Sequence, residues 1–156
     1  MKLLEIDFEV CAIIPAAGTE SVWDWKHQSS TFPSIKSPSY AIQLMHFFRI
    51  PFIKKIVVVA APNSVDLMLQ TLTDVCTFEG DKLMISEGSS SRHQSIQAGL
   101  KALKSYSEIK PEVVIIHDGV RPFFPEDIIS KVVLAAKRAW GSRCNLSISF
   151  YCHISR

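Results

Sequence analysis

Three short stretches of this chain carry the residue types that could do chemistry. In the first, "PAAG", Pro15, Ala16, Ala17 and Gly18 close an apolar run. Small side chains let a backbone approach a ligand closely and leave N–H groups open to phosphate oxygens. The second, "EGSSSRHQS", supplies Gly88 for a turn, Ser89, Ser90 and Ser91 as hydroxyls and caps, and Arg92 and Ser95 in the first turns of a helix. A helix N-terminus favours anions. The third, "HDGVRP", sets Asp118 directly after an apolar run and Gly119 and Arg121 just beyond it. A carboxylate at that place is a common means of holding Mg²⁺ against a phosphate. Taken singly, each stretch also has a plainer reading. The first is then a tight turn, and the second a serine-capped helix with a solvated arginine. In the third, Asp118 caps its own loop and pairs with Arg121, and His117 is a structural hydrogen-bonder.

The elements that must position these residues follow from periodicity. "VCAII" (10–14), "IVVVA" (56–60) and "VVII" (113–116) are continuous apolar runs rich in β-branched residues, and "LMIS" (83–86) is a weaker fourth. Continuous runs suit strands covered on both faces, as in a parallel sheet. Between them lie stretches of helical spacing. Residues 38–49 place Ile42, Met45 and Phe48 on one face, and residues 64–75 place Val65, Leu69 and Leu72, with Asn63 or Ser64 as N-cap. Residues 92–105 place Ile96, Leu100 and Leu103, and residues 125–140 place Ile128, Val132 and Ala135. The expected order is therefore β-α-β-α-β-α-β-α, a three-layer α/β sandwich with a mainly parallel sheet and right-handed crossovers. Ligands in such sheets lie at the carboxyl ends of the strands. Here those ends are residues 15–18, 61–63, 87–91 and 117–121.

Composition bounds the function. A chain of 156 residues holds one domain with a sizeable core. The 17 Lys+Arg against 15 Asp+Glu are scattered, which gives no reason to propose a nucleic-acid or membrane surface. No apolar stretch approaches the roughly 20 residues of a membrane span. Glu5, Asp7 and Glu9 interrupt the N-terminus where a secretory signal would stay apolar. Cys11, Cys76, Cys144 and Cys152 form no CxxC pair, and the adjacent Cys152 and His153 lack metal-ligand spacing. A reducing, cytoplasmic compartment is the expectation.

Taken in order, "PAAG", "EG…R..S…GL" and "HD..RP" resemble the methylerythritol phosphate cytidylyltransferase family over residues 10–140. "HDGVRP" is the most specific part. "KPEVVIIHDGVRPF" and "SRHQSIQAGLKAL" most resemble the family's animal branch, the isoprenoid synthase domain-containing proteins. That resemblance implies a nucleotide-diphospho-sugar transferase-like (Rossmann-like) fold over residues 1–140, with residues 141–156 as a divergent tail. The implied reaction is CTP plus D-ribitol 5-phosphate giving CDP-ribitol and pyrophosphate, for protein O-mannosyl glycan synthesis. The alternative within the family is 2-C-methyl-D-erythritol 4-phosphate as acceptor, for isoprenoid biosynthesis. By carry-over, Pro15, Ala16, Ala17, Gly18, Gly88, Ser89, Ser90, Ser95 and Gly119 line the CTP pocket. Asp118 holds Mg²⁺, and Arg92 and Arg121 fix loops or help bind phosphate.

The resemblance also has departures. The family loop continues past Pro-Ala-Ala-Gly as x-Gly-x-Arg-Met and later reads Pro-Lys-Gln, and its Arg and Lys brace the triphosphate. Here Glu20 stands for the second glycine, Val22 for the arginine and Trp23 for the methionine, and "SST" replaces the Pro-Lys-Gln stretch. A carboxylate about 4 Å from a phosphate costs about 1 to 4 kcal/mol at effective dielectrics of about 80 to 20. Residues 141–156 show alternation at Leu146, Ile148 and Phe150, which suits one more strand, but match neither the family's dimer-pairing arm nor its late catalytic lysine. The sequence alone therefore also admits a shortened, non-catalytic nucleotide-binding or interaction protein.

Overall fold

The computed structural model describes residues 6–16, 38–75, 81–106, 108–117 and 125–140. Its elements are β1 (Val10–Pro15), α1 (Pro38–Arg49), β2 (Ile53–Ala60), α2 (Val65–Val75), β3 (Leu83–Glu87), α3 (Arg92–Ser105), β4 (Val113–Ile116) and α4 (Glu126–Trp140). The four strands form one sheet in the order β3-β2-β1-β4, and every neighbouring pair is parallel. The expected extra strand near Leu146 lies outside the described residues.

Strand residues alternate between two apolar layers, as a period of two dictates. Val10, Ala12, Ile14, Ile56, Val58, Val113 and Ile115 face Leu44 and Phe47 of α1, Leu72 of α2, and Ile129, Val133 and Ala136 of α4. Cys11, Ile13, Val57, Val59, Val114 and Ile116 face Leu103, Ile96 and Leu100 of α3. The chain steps from β1 to β2 to β3 under α1 and α2, then returns beneath the opposite face through α3 to β4. Right-handed crossovers require that change of face.

The helices are where expected, and in α3 Ile96, Leu100 and Leu103 pack on the sheet as expected, but the buried faces of α1, α2 and α4 are rotated. In α4 the buried apolar residues are Ile129, Val133 and Ala136, whereas Ile128 is 38% exposed and Ala135 is exposed. In α1 Leu44 and Phe47 are buried, and Met45 and Phe48 only half so. In α2 Leu69 is 49% exposed and Leu72 alone of the expected trio is buried. The reason is sequence degeneracy. Ile128-Ile129, Val132-Val133 and Ala135-Ala136 are adjacent apolar pairs, so two stripes fit one period. Packing on the sheet chooses the 129-133-136 stripe, and the Asp127–Lys131 ion pair at 3.1 Å lies on the solvent side. At the start of α2, Ser64 occupies the N-cap position, its carbonyl accepting the Met68 N–H at 2.9 Å. Asn63 instead takes a left-handed φ of 60°.

Polar ties hold the edge of the sheet at the strands' amino ends. Lys55, 1% exposed within β2, donates to Asp81 Oδ2 at 2.8 Å and lies 3.6 Å from the centre of the Tyr106 ring. The Tyr106 hydroxyl donates to the same carboxylate oxygen. Burial is the largest single influence on the Lys55 pKa and pulls it down, but the bonds from Asp81 and Tyr106 together outweigh it and the pKa is raised. Lys82 donates to the carbonyls of Phe48 and Ile50 at 2.8 and 3.0 Å, closing the C-terminus of α1. Burial first, and the charge of Lys54 second, lower its pKa.

Candidate functional site

The strand order reverses direction between β1 and β4, because β2 and β3 lie to one side of β1 and β4 to the other. A crevice opens at such a switch point, beyond the carboxyl ends of the strands. All four sequence-predicted loops leave the sheet from that edge.

Pro15 is the last residue of β1, in register with Val59. Ala16 follows, 4% exposed, its N–H bonded to the Val59 carbonyl at 2.8 Å. The start of the loop, at Ala16, is thus fixed by backbone bonding to β2. Ala17 and Gly18 lie outside the described residues, as do Glu20 and Val22. On the far side of the switch point, the His117 N–H bonds the Ile13 carbonyl at 3.0 Å. Its ring meets Phe47 of α1 edge-on, with centroids 5.4 Å apart. His117 therefore leads the chain off β4 beside the end of β1. Asp118, Gly119 and Arg121 lie outside the described residues.

The β3–α3 loop is built in most detail. Gly88 donates its N–H to Ala60 O at 2.8 Å. Ser89 donates its N–H to Ser95 Oγ at 3.0 Å, and that fully buried hydroxyl lies 2.9 Å from Ser91 O and 3.2 Å from Ser89 O. Ser91 is the N-cap, with φ −118° and ψ 151°, its Oγ accepting the Gln94 N–H at 3.2 Å. Gln94 Oε1 accepts the hydroxyls of Ser89 at 2.9 Å and Ser90 at 3.5 Å. The Ser95 hydroxyl is thus committed to the loop's own backbone, while Gly88, Ser89 and Ser90 sit at its rim. Arg92, half-buried, opens α3, whose first turn holds no acidic residue. That combination favours an anion over a cation at the loop.

Gly99 explains how α3 reaches this position. A Cβ built there would lie 2.9 Å from Ile13 Cγ2 and 3.0 Å from Val59 Cγ2. The helix therefore lies on β1 and β2 at a separation that a larger residue would not permit.

Sequence reasoning missed three contributors. Gln94 stands three residues after Ser91, and the Ser-x-x-Gln spacing of a capping box was available as the signal. Gly99 stood in the matched "EG…R..S…GL" stretch, but its close approach to Ile13 and Val59 had no signal in the sequence. Glu87, whose Oε1 accepts the Asn63 N–H at 3.0 Å, could not be paired with Asn63 before the β2–β3 register was known.

Among the described residues no group of three or more His, Cys, Asp or Glu side chains could hold a metal. A Mg²⁺ ion shared with phosphates needs one or two carboxylates.

Three comparisons bear on this arrangement. The profile of the family described as IspD: 2-C-methyl-D-erythritol 4-phosphate cytidylyltransferase matches residues 10–148. The D-ribitol-5-phosphate cytidylyltransferase of Mus musculus is 37% identical over 134 residues, 82% of this chain and 29% of that protein. The 2-C-methyl-D-erythritol 4-phosphate cytidylyltransferase of Clostridium acetobutylicum is 34% identical over 136 residues, 87% of this chain and 57% of that protein. A crystal structure of 4-diphosphocytidyl-2C-methyl-D-erythritol synthase from Anaerococcus prevotii superposes with a TM-score of 0.61 at 26% identity, over 84% of this chain and 52% of that one. The chain thus spans between about a third and three fifths of the length of these relatives. Its parallel sheet and helices are those of an α/β, Rossmann-like nucleotidyltransferase. With that fold, these loops at the switch point and a profile match over most of its length, the chain belongs to the IspD family of cytidylyltransferases.

Proposed function

We propose that this chain binds CTP with Mg²⁺ at the β1/β4 switch point, in the manner of a cytidylyltransferase whose acceptor is D-ribitol 5-phosphate. The observation that carries this reading is that the three family-matched stretches leave one sheet edge, at Ala16, Gly88 and His117, with the β3–α3 loop locked by Ser95 into an acid-free helix start. The match in wording to the animal branch favours ribitol phosphate over methylerythritol phosphate as acceptor. In the reaction an oxygen of the acceptor phosphate attacks the α-phosphorus of CTP. A new P–O bond forms, the bond from the α-phosphorus to the β-phosphate oxygen breaks, and pyrophosphate leaves. Catalysis of this kind is positioning and charge neutralisation.

In this reading Pro15, Ala16, Ala17 and Gly18 present backbone to the nucleotide, and Gly88, Ser89, Ser90 and Gly119 form the cytidine and ribose side, with buried Ser95 holding the Ser89–Ser91 backbone behind them. Asp118 holds Mg²⁺, which neutralises phosphate charge when bound. Arg92 and Arg121 steady the loops or the phosphates. The cysteine pattern, without CxxC pairs, is the basis on which this reading places the chain in the cytoplasm.

A second reading, a nucleotide-binding relative that does not turn over, is favoured by Glu20 and Val22 in place of the family's glycine and arginine. Calorimetry with CTP, with and without Mg²⁺, on wild type and Asp118→Ala tests the site. Mg²⁺-dependent binding lost in the variant supports it, and no binding by the wild type refutes it. Pyrophosphate release with each acceptor then separates the substrates. The double variant Glu20→Gly, Val22→Arg is expected to tighten CTP binding, because one negative charge leaves the phosphate loop and one positive charge enters. Unchanged affinity would overturn the account of a site intact but stripped of its cation.

A further inference from the structure

The turn between β2 and α2 leaves the sheet at the ligand edge, yet it carries none of the family-matched residues. It lies between two of the three loops that do, those after β1 and β3. On one side, Ala16 N–H bonds Val59 O at 2.8 Å, joining the β1 loop to the end of β2. On the other, Gly88 N–H bonds Ala60 O at 2.8 Å, joining the β3 loop to the same strand end. The turn itself is held by two bonds, Ser64 N–H to Ala61 O at 3.0 Å and Asn63 N–H to Glu87 Oε1 at 3.0 Å.

Asn63 has a φ of 60°, the one positive value at a non-glycine residue among the described residues. Such a conformation persists where surrounding contacts over-determine it. Here the determining contact comes from the neighbouring strand: Glu87 is the last residue of β3, in register with Ala60 at the end of β2. Its carboxylate is exposed and stands next to Gly88, at an edge otherwise suited to anions. A carboxylate left to swing there would oppose a triphosphate. Bonded to Asn63, it is turned along the sheet edge and fixes the turn instead.

We infer that Glu87 is a positioning residue for the nucleotide site: its bond to the Asn63 N–H braces the β2–α2 turn against the end of β3, and so holds the Gly88 loop in register with the Ala16 loop. The inference rests on the nucleotide-site reading above. It assigns to Glu87 neither a metal nor a substrate contact.

The test is CTP calorimetry with Mg²⁺ on the full chain, for wild type, Glu87→Ala and Glu87→Gln, with amide hydrogen exchange read at Asn63. Glu87→Ala removes the acceptor and raises the Kd roughly threefold to tenfold, the span of one net hydrogen bond. Glu87→Gln keeps an acceptor oxygen and recovers most of that loss. Exchange at Asn63 is slow in wild type and Glu87→Gln and fast in Glu87→Ala, with or without CTP. A role in fold stability alone would not give this split between the two variants at Asn63 and in Kd. Equal effects of Glu87→Gln and Glu87→Ala would overturn the inference, and so would tighter CTP binding by both, which would mean that the charge acts on the nucleotide directly. An unprotected Asn63 amide in the wild type would overturn it as well. Should Glu87→Ala lack a cooperative thermal transition, Asn63→Ala carries the test. Its side chain resists the left-handed φ and is expected to weaken CTP binding, whereas Asn63→Gly, which adopts that φ freely, binds more tightly than Asn63→Ala. Equal binding by these two refutes the brace. A wild type that binds no CTP defeats the nucleotide-site reading and the inference with it. A wild type that binds, with Glu87→Ala unaffected, defeats the inference alone.

Discussion

Gly99→Ala is the substitution whose outcome most directly tests how the site is positioned. On helix propensity alone it should stabilise α3 by about 1 kcal/mol. The packing opposes that gain. The added methyl would lie 2.9 Å from Ile13 Cγ2, 3.0 Å from Val59 Cγ2 and 3.4 Å from Ile13 Cδ1. Carbon atoms in contact prefer about 3.5 to 4.0 Å, so two of these contacts are short by at least roughly half an ångström. Neither neighbour yields easily. Both Cγ2 atoms sit on β-branched side chains in fully buried strand positions, where χ1 has few alternatives. Overpacking of this kind costs about 1 to 3 kcal/mol, which leaves a net loss of up to about 2 kcal/mol after the helix gain. For a domain of this size each kcal/mol lowers Tm by about 2 to 4 °C. Urea denaturation of wild type, Gly99→Ala, Val59→Ala and the double variant measures the coupling. Val59→Ala removes one clashing methyl, so Gly99→Ala should cost less in that background, by about 0.5 kcal/mol or more. A stabilised Gly99→Ala, with additive effects in the cycle, would show that α3 does not lie this close to the sheet. The serine loop would then lose its account of how it reaches the ligand edge.

Two further outcomes follow from titrating groups. The bonds from Lys55 and Tyr106 hold the Asp81 carboxyl below the ordinary carboxylate value, so Asp81 contributes stability that is present above the unfolded value and fades as pH falls through the depressed one. Asp81→Asn keeps an acceptor for Lys55 but not the charge. Its urea midpoint should fall short of wild type near pH 7, with the gap narrowing only as pH falls below the ordinary carboxylate value of about 3.9 and closing below the depressed one, and parallel profiles would refute the coupling. Burial pushes the Cys11 thiol up to about 11 and outweighs the backbone hydrogen bond at Lys55, so the thiol stays protonated at neutral pH. Alkylation of Cys11 should therefore be negligible in the native state and rise in step with unfolding, whereas rapid native labelling would contradict its place in the sheet.

How much was legible in the sequence depends on whether a feature is local. The eight elements could be read because β-branched runs and helical spacing are properties of a few consecutive residues. Helix phase could not, since Ile128-Ile129 and Val132-Val133 satisfy two faces equally and only the packed sheet chooses between them. Lys55 is polar within a strand, and its burial depends on Asp81 and Tyr106 arriving from 26 and 51 positions away in the chain. The Ser95 hydroxyl was read as part of the CTP pocket, and the structure shows it fully buried and bonded to the backbone of Ser89 and Ser91. From sequence alone, a serine at a helix start does not reveal whether its hydroxyl faces the ligand or the loop behind it.

The same distinction explains how a nucleotide loop can keep its scaffold while its charges change. Everything that fixes Ala16 is main-chain or apolar: the Val59 carbonyl, the parallel ladder to β2, and burial against the α1 layer. These contacts are made by described residues of β1, β2 and α1, so the strand and Ala16 are held by groups other than the side chains at positions 20 and 22. The serine loop is likewise braced by its own hydroxyls and by Gly88 bonding Ala60. Binding electrostatics and loop architecture are therefore separable in this chain, and they fail separately. Loss of the Gly88 and Ser95 bonds would displace the pocket wall whatever the charge of the phosphate loop. Restoring arginine at position 22 would act on the phosphates without altering the wall. A variant that restores the charge yet leaves CTP unbound would place the fault in the wall or in the metal carboxylate rather than in the phosphate loop.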